Sequence, residues 1–183
     1  MHEVAGQADP ADRRRPTLHG SFVLQLDLPA PPTQVFAAHA ELPLRQRWFR
    51  LPGETGSQHH ELDFRVGGGE RASSTFAPTG LREHLEYRSW FLDIAMDERI
   101  VFAYEFRLNG RRRWISLVTI ELDADGGGTR LRRTEQYAFV EVTGNGDDDV
   151  RHLIGGTRLQ LNGLLQLWGA HGAASANTSS QSQ

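Results

Sequence analysis

Residues 148–169 read DDVRHLIGGTRLQLNGLLQLWG, and this stretch decides the fold because its apolar residues recur at helical spacing. The steps of i, i+3, i+4 and i+7 place them on one face of an α-helix. They are Val150, Leu153, Ile154, Thr157, Leu161, Leu164, Leu165 and Trp168. At about 1.5 Å per residue, such a helix is about 33 Å long. It needs a curved sheet to cover its apolar face, and we expect residues 154, 157, 161, 165 and 168 to face that sheet.

The segments that precede this helix alternate apolar and polar residues, which is typical of β-strands. In the first of them, Phe22, Leu24 and Leu26 share one face. Turns separate the later segments, and Asn109–Gly110 is a strong hairpin signal between two apolar runs. The predicted strands cover residues 22–28, 59–66, 70–76, 82–94, 100–108, 112–122 and 129–140.

Prolines mark two short helices between the first two strands. Pro31 and Pro32 suit the first turn of a helix over residues 33–40, and a second helical stretch leads through Trp48 and Phe49. One strand, two short helices, six strands and a long helix predict an α+β protein. We expect the helix-grip fold, a curved antiparallel β-sheet wrapped around a long C-terminal α-helix. This fold encloses a cavity because the helix cannot fill the whole concave face.

The composition excludes several kinds of chemistry. The 183 residues include no cysteine, and all 20 basic residues are arginine, so thiolate metal sites, cysteine nucleophiles and lysine Schiff bases are ruled out. A net charge of -3 gives no electrostatic reason to bind nucleic acid, and no apolar run is long enough for a membrane span. We therefore expect a soluble, cytoplasmic, bacterial domain without a cofactor.

The two ends of the chain differ in composition from the rest. Residues 1–16 and 172–183 are polar, and they cannot bury enough apolar area to offset the entropy lost on ordering. We therefore predict a disordered tail at each end and a single domain over residues 17–171. The sequence is compatible with a monomer or a homodimer of this domain.

Five stretches of the predicted core carry a resemblance to a known superfamily. They read APPTQVFAAHAELPLRQRWF (30–49), DFRVGGGERA (63–72), FLDIAMDERIVFAYEF (91–106), SLVTIELDADGGGTRLRRTEQYAFV (116–140) and GTRLQLNGLL (156–165). The residues in these five stretches, and the order of the stretches along the chain, resemble those of the SRPBCC superfamily. More narrowly, they resemble its branch related to the activator of heat-shock-protein-90 ATPase. Most of these residues lie in turns or in the core, so the resemblance indicates fold and family rather than activity.

The resemblance implies a domain that binds or transforms small hydrophobic molecules. The main hypothesis is a module that holds a largely apolar ligand in the cavity between the sheet and the C-terminal helix. The first alternative is an enzyme of the polyketide cyclase or aromatase type, which needs an acid–base pair aimed into that cavity. The second is a co-chaperone. It has least support, because eukaryotic activators carry a separate N-terminal domain and only residues 1–16 precede the core here.

The ligand cavity is predicted from the inward faces of the short helices, the last three strands and the long helix. Apolar walls would supply most of the affinity, and a few polar groups would orient the ligand. No residue is assigned a catalytic role. The predicted lining residues are Trp48, Phe49, Phe102, Tyr104, Trp114, Ser116, Arg133, Glu135, Tyr137, Leu161 and Leu165.

Two charged residues in the middle of the last strand decide the polarity of this cavity. The resemblance implies that Glu135 points inward, whereas Arg133 stands where relatives usually have an apolar residue. Because the two are two positions apart on a strand, they could form an ion pair inside the cavity. Alternatively, a bulge or a water-filled cavity mouth exposes Arg133. We favour the exposed orientation, because buried unpaired arginine is rare.

Other candidate residues have ordinary structural interpretations. His84 and Glu86 share a strand face, but no third ligand follows at a matching spacing, so no metal site is predicted. Trp90, Trp114 and Trp168 are interpreted as core residues.

Overall fold

A computed structural model describes residues 17–54, 56–77 and 80–169 of the chain, and the predicted tails, residues 1–16 and 172–183, lie outside these ranges. It contains seven strands and three helices in the predicted order. They are β1 (Leu18–Leu28), α1 (Pro32–Ala40), α2 (Leu42–Trp48), β2 (His59–Leu62), β3 (Gly69–Phe76), β4 (Glu83–Ala95), β5 (Arg99–Leu108), β6 (Arg111–Asp125), β7 (Gly128–Phe139) and α3 (Asp147–Gln166).

The strands form one curved antiparallel sheet in the order β1-β7-β6-β5-β4-β3-β2. The first strand pairs with the last because the two short helices lead the chain across the sheet to its far edge, from which the meander returns. The turn Asn109–Gly110 has positive φ at both residues, 52° and 76°, as a tight hairpin requires. The predicted helix-grip fold is confirmed.

The inner face of the sheet, α1, α2 and α3 enclose the core. Phe22, Leu24, Val118, Leu131 and Phe139 are almost completely buried between them. Glycine at position 163 brings α3 close to α2, because a Cβ there would lie only 3.2 Å from the Trp48 carbonyl oxygen. Arg113 on β6 donates to Asp149 at 2.9 Å and so fixes the first turn of α3 to the sheet.

The helix α3 is turned slightly from its predicted orientation. Thr157, Leu161 and Leu165 are buried as expected, but Ile154 and Trp168 are only half-buried. Leu153 and Leu164 are fully buried in the core instead. Among the described residues, no helix combines the length and hydropathy that crossing a membrane would require.

The strand β2 ends at Leu62, four residues before its predicted end. The chain turns there, because Asp63 donates its backbone N–H to Gly69, and Gly68 donates to Arg65. The three glycines at 67–69 therefore belong to a longer turn that includes Phe64, whose ring packs on Phe91.

Candidate ligand-binding site

Four polar side chains meet on the inner face of the central strands. Alternation along β7 directs Arg133 and Glu135 inward, and the neighbouring strands add Tyr104 and Trp114. The Glu135 carboxylate accepts hydrogen bonds from the Tyr104 hydroxyl at 2.5 Å and from Arg133 Nη2 at 2.7 Å. Trp114 Nε1 donates to the Tyr104 oxygen at 3.1 Å. We call these four residues the Glu135 cluster.

Arg133 is buried, and the expectation that it is exposed was wrong. Its exposed fraction is only 7%. β7 pairs with β1 and β6 without a break in register, so no bulge turns the side chain outward. The expectation assumed that a buried arginine would be unpaired, whereas Glu135 supplies the partner two residues away. The carboxylate itself points inward, as predicted.

The protonation states in the Glu135 cluster follow from burial and from the adjacent charges. Burial and the Glu135 carboxylate raise the pKa of Tyr104 well above 10, so the phenol remains a hydrogen-bond donor. Burial lowers the pKa of Arg133, but the charge of Glu135 more than offsets this and the net shift is upward. The cluster thus combines a cation, a carboxylate and a protonated phenol away from water.

A second buried ion pair joins α2 to the sheet. Arg45 Nε and Nη2 donate to the two Glu70 oxygens at 2.8 and 2.9 Å, and His60 Nε2 lies 2.7 Å from Glu70 Oε1. The Arg45 guanidinium also stacks on Trp48 and Phe49, 4.3 and 4.1 Å from their ring centres. Burial raises the pKa of Glu70, but Arg45 and His60 outweigh it and lower this pKa to about 2. We call Arg45, Glu70 and His60 the Glu70 cluster.

His39 adds an unpartnered polar atom near the Glu70 cluster. Its Nδ1 lies 2.9 Å from the Val35 carbonyl oxygen, while its buried Nε2 has no hydrogen-bond partner. Burial, and next the charge of Arg45, lower the pKa of His39 to about 3, so the imidazole is neutral and Nε2 offers a lone pair.

A cavity of about 10 Å³ adjoins His39, and it has room for about one water molecule. Its other lining residues are Arg45, Phe64, Glu70, Phe91, Ile100 and Phe102.

The structure brings most of the predicted lining residues together. Phe102, Tyr104, Trp114, Ser116, Arg133 and Glu135 lie side by side on the inner face, and Leu161 and Leu165 are buried on α3. Tyr137 is only half-buried and packs on Phe22 and Phe139. Trp48 and Phe49 are buried, but they pack on Arg45 in the Glu70 cluster and not on the Glu135 cluster.

Arg45, Glu70 and His39 are interior polar groups that the sequence patterns did not predict. The sequence contained one indication that Glu70 is buried. Glu70 shares a strand face with the small residues Ala72 and Ser74, and both of these are buried. Arg45 precedes Trp48 by three residues in α2, the spacing of a common helix face. The partners are 25 residues apart, so only the fold shows that these two charges meet.

The three tryptophans interpreted as core residues differ in exposure. Trp114 is buried and Trp168 is half-buried, but Trp90 is 48% exposed, so its assignment to the core was wrong. Trp90 lies between the inward-facing Ser89 and Phe91, and strand alternation therefore turns it to the outer face. In the described ranges, no group of three or more histidine, aspartate or glutamate residues could hold a metal ion.

An antiparallel sheet closed by a C-terminal helix over a mixed polar and aromatic interior defines a helix-grip domain of the SRPBCC type. The model of the family described as "Activator of Hsp90 ATPase homolog 1-like protein" matches residues 29–168. The chain belongs to this family.

Solved structures share this fold. A protein from Rhizobium leguminosarum is 33% identical with a TM-score of 0.71, and the match covers 82% of this chain and 94% of that chain. Mll3558 from Rhizobium loti is 36% identical with a TM-score of 0.69, covering 82% of this chain and 97% of that chain. DynU16, from the dynemicin biosynthetic locus, shares the fold at 17% identity and a TM-score of 0.58, covering 81% of this chain and 47% of that chain. No protein with a curated description matches the chain.

Proposed function

We propose that this protein binds a small, largely apolar molecule between the sheet and α3, with the polar end of the ligand at the Glu135 cluster. The observation that carries the proposal is the buried pair of Arg133 and Glu135, whose side chains are 8% and 0% exposed. Taking two charges out of water costs several kcal/mol per ion, and an apolar pair of equal volume is often at least as stable. Stability alone therefore gives little reason for these charges.

The surroundings of the Glu135 cluster suit an apolar ligand with one polar group. The Phe102 ring lies 5.9 Å from the Arg133 guanidinium, and Leu161 and Leu165 are buried on α3. Apolar surface of this kind provides most of the affinity in small-molecule sites. Arg133 and Tyr104 supply hydrogen-bond donors, and Glu135 supplies the acceptor. A hydroxyl or carbonyl group on the ligand would exchange hydrogen bonds with this cluster when it enters.

A cyclase or aromatase is the second candidate, and the short hydrogen bond between Tyr104 and Glu135 favours it. A phenol and a carboxylate within hydrogen-bond distance of each other supply the donor and the acceptor that acid–base chemistry on a substrate carbonyl needs. The raised pKa of Tyr104 suits a hydrogen-bond donor better than a group that gives up its proton near pH 7. DynU16 comes from a biosynthetic locus, but its likeness to this chain concerns the fold. Binding is therefore the function that we place first.

The test compares two probes that differ by one hydroxyl group, naphthalene and 2-naphthol. We expect the wild-type protein to bind 2-naphthol more tightly, as measured by isothermal titration calorimetry. Glu135→Gln keeps the shape of the side chain but removes its charge, so the affinity for 2-naphthol should fall by about 1.5–3 kcal/mol while the affinity for naphthalene stays the same.

The matched control is Glu121→Gln, which removes a carboxylate from an exposed ion pair with Arg132 on the outer face. This variant should bind both probes like the wild type. If Glu135→Gln lowers the free energy of unfolding but leaves both affinities unchanged, Glu135 only completes an internal ion pair. The proposal would then be wrong for this cluster.

A further inference from the structure

The strand β1 forms one edge of the sheet, and within the described residues only β7 pairs with it. It follows β7 over all 11 of its residues, Leu18–Leu28, without a break in register. The strand at the other edge, β2, has only 4 residues. The free side of β1 is therefore the longer edge of the sheet. Such an edge presents a row of backbone N–H and C=O groups to which another strand can bind.

Hydrogen bonds elsewhere in the sheet show which residues of β1 direct their backbone groups to this free side. Val140 donates its N–H to the carbonyl of Arg113, its opposite in the register of β7 and β6, so even-numbered residues of β7 bond to β6. Leu122 donates to Glu98 on the other side of β6, which agrees with the same alternation. Odd-numbered residues of β7 then bond to even-numbered residues of β1. The residues of β1 that face the free side are His19, Ser21, Val23, Gln25 and Asp27.

This edge lacks the features that usually prevent a strand from pairing with another chain. Residues 18–28 contain no proline and no arginine, and the continuous register with β7 leaves no bulge. Their one acidic residue, Asp27, lies next to the end of the strand. Soluble proteins usually shorten, charge or interrupt their edge strands. The regularity of β1 therefore favours a partner strand along its free side.

The sequence of β1 is complementary to itself when two copies run antiparallel about an axis at Val23. The exposed side chains on either side of this axis then form two polar pairs, Gln25 with Ser21 and Asp27 with His19. Every pair joins two odd-numbered residues, so the N–H and C=O groups on one free side meet those on the other. The even-numbered residues between them are all apolar or glycine. A two-fold axis requires a self-complementary surface of this kind.

The charge of Asp27 supports this register. Its side chain is 80% exposed, and Arg130, which lies 3.3 Å away, is bound more closely to Asp125 at 2.5 Å. The Asp27 carboxylate therefore keeps acceptor positions for His19 of the second copy. A shift of the register by two residues removes this contact and shortens the ladder.

We propose that β1 pairs with β1 of a second copy of this chain, antiparallel about a two-fold axis at Val23, and so joins two seven-stranded sheets into one. The assembly ends at two copies, because the other edge of each sheet is the short strand β2. This inference concerns the edge of the sheet and does not rest on the proposed interior function.

A disulfide across the axis tests the register, because the chain has no cysteine of its own. Directly opposite residues in a hydrogen-bonded antiparallel pair have Cα atoms about 5.5 Å apart, a distance that a disulfide can span. We expect Val23→Cys to form a covalent dimer under air oxidation of a dilute solution, measured on a non-reducing gel.

The matched control for the disulfide is Gln25→Cys, which places a thiol on the same edge but opposite Ser21 of the second copy. Its two thiols are too far apart to bond, so this variant should remain a single chain on the gel. Adding Ser21→Cys to Gln25→Cys should restore the covalent dimer. If Gln25→Cys alone forms it as readily as Val23→Cys, the proposed register is wrong.

The second experiment removes one backbone donor from the edge. The N–H of Val23 points to the free side and takes no part in the ladder with β7, so the monomer should tolerate Val23→Pro. Light scattering after size exclusion should show dimers for the wild-type chain and for the control Val23→Thr, which keeps the N–H. The dissociation constant of Val23→Pro should be at least about tenfold higher, because each copy loses a hydrogen bond at the axis.

Val23→Glu keeps the N–H but places two like charges at the axis, so it should also dissociate the dimer. It answers the same question if circular dichroism and urea unfolding show that proline disturbs the fold. A wild-type chain that stays monomeric as its concentration is raised would overturn the proposal. So would a dimer that both Val23→Pro and Val23→Glu leave unchanged, because another surface would then hold the two copies together.

Discussion

Arg133 and Glu135 show how a single pair of residues can link stability to function. If Arg133 is replaced by Met, Glu135 becomes a buried carboxylate without its cation, and we expect the free energy of unfolding to fall by about 3–5 kcal/mol. Adding Glu135→Gln removes the charge but keeps an acceptor for the Tyr104 hydroxyl, so the double variant should regain most of this loss. Urea unfolding of the single and double variants measures both effects.

The outcome of this double-variant cycle separates two roles of the ion pair. A stable double variant that no longer distinguishes 2-naphthol from naphthalene would show that the charges serve the ligand. A double variant as unstable as Arg133→Met would contradict the prediction, since the charges would then be needed for the packing of the core itself.

Single residues also show which side-chain orientations could be predicted from the sequence and which could not. The resemblance to the SRPBCC superfamily implied that Glu135 points inward, and the structure buries this side chain completely. The orientation of Arg133 depended on whether a partner was within reach, and the burial of Arg45 depended on Glu70, 25 residues away. Pairing between distant segments is a property of the tertiary fold, so no local pattern contains it.

At the scale of the elements, α3 carries the most decisive test of the packing. Leu161 is buried against the core, whereas Leu159 on the same helix is 72% exposed. Leu161→Asp places an unpaired charge in the core, so we expect a loss of at least about 3 kcal/mol in the free energy of unfolding. Leu159→Asp changes the helix propensity by the same amount, but it places the charge in solvent. It should therefore lower the free energy of unfolding by less than about 1 kcal/mol.

Denaturant unfolding of these two variants distinguishes the helix-grip packing from a loosely attached helix. Similar losses in Leu161→Asp and Leu159→Asp would mean that α3 does not cover the sheet through the Leu161 face. The sequence predicted this helix well because its periodic pattern extends over about five turns. It predicted the exact face less well, because Leu153 and Leu164 are fully buried whereas Ile154 and Trp168 are only half-buried.

The shorter elements were predictable in number but less so in extent. Alternation and turn residues predicted all seven strands and their order along the chain. The end of β2 and the outer position of Trp90 were missed. The outer position of Trp90 follows from strand alternation along β4. The end of β2 depends on the turn at 63–69, where backbone hydrogen bonds to Gly69 and Phe91 replace the regular ladder. Turn geometry of this kind follows from long-range pairing as much as from the glycines.

At the scale of the whole molecule, the described residues combine two buried ionic clusters with a neutral buried histidine, and this combination makes the stability depend on pH. The pKa of His39 is about 3 in the folded protein, whereas an exposed histidine has a pKa near 6.5. Between these values the unfolded chain binds a proton that the folded chain does not, so stability is lost as the pH falls below about 6.5. Glu70 adds a second loss below about 4.5, because its folded pKa is about 2.

We therefore expect the free energy of unfolding to fall by about 1.2 kcal/mol from His39 alone between pH 6 and pH 5, before Glu70 contributes. His39→Phe retains an aromatic ring against Trp48 and removes the titrating group, so this variant should show a flatter profile in that interval. His59→Gln, at an exposed position, is the control and should behave like the wild type. Urea unfolding at half-unit pH steps gives the slopes. A wild-type profile that is flat between pH 6 and pH 5 would mean that His39 takes up its proton in the folded protein, and thus that the interior around its Nε2 admits water.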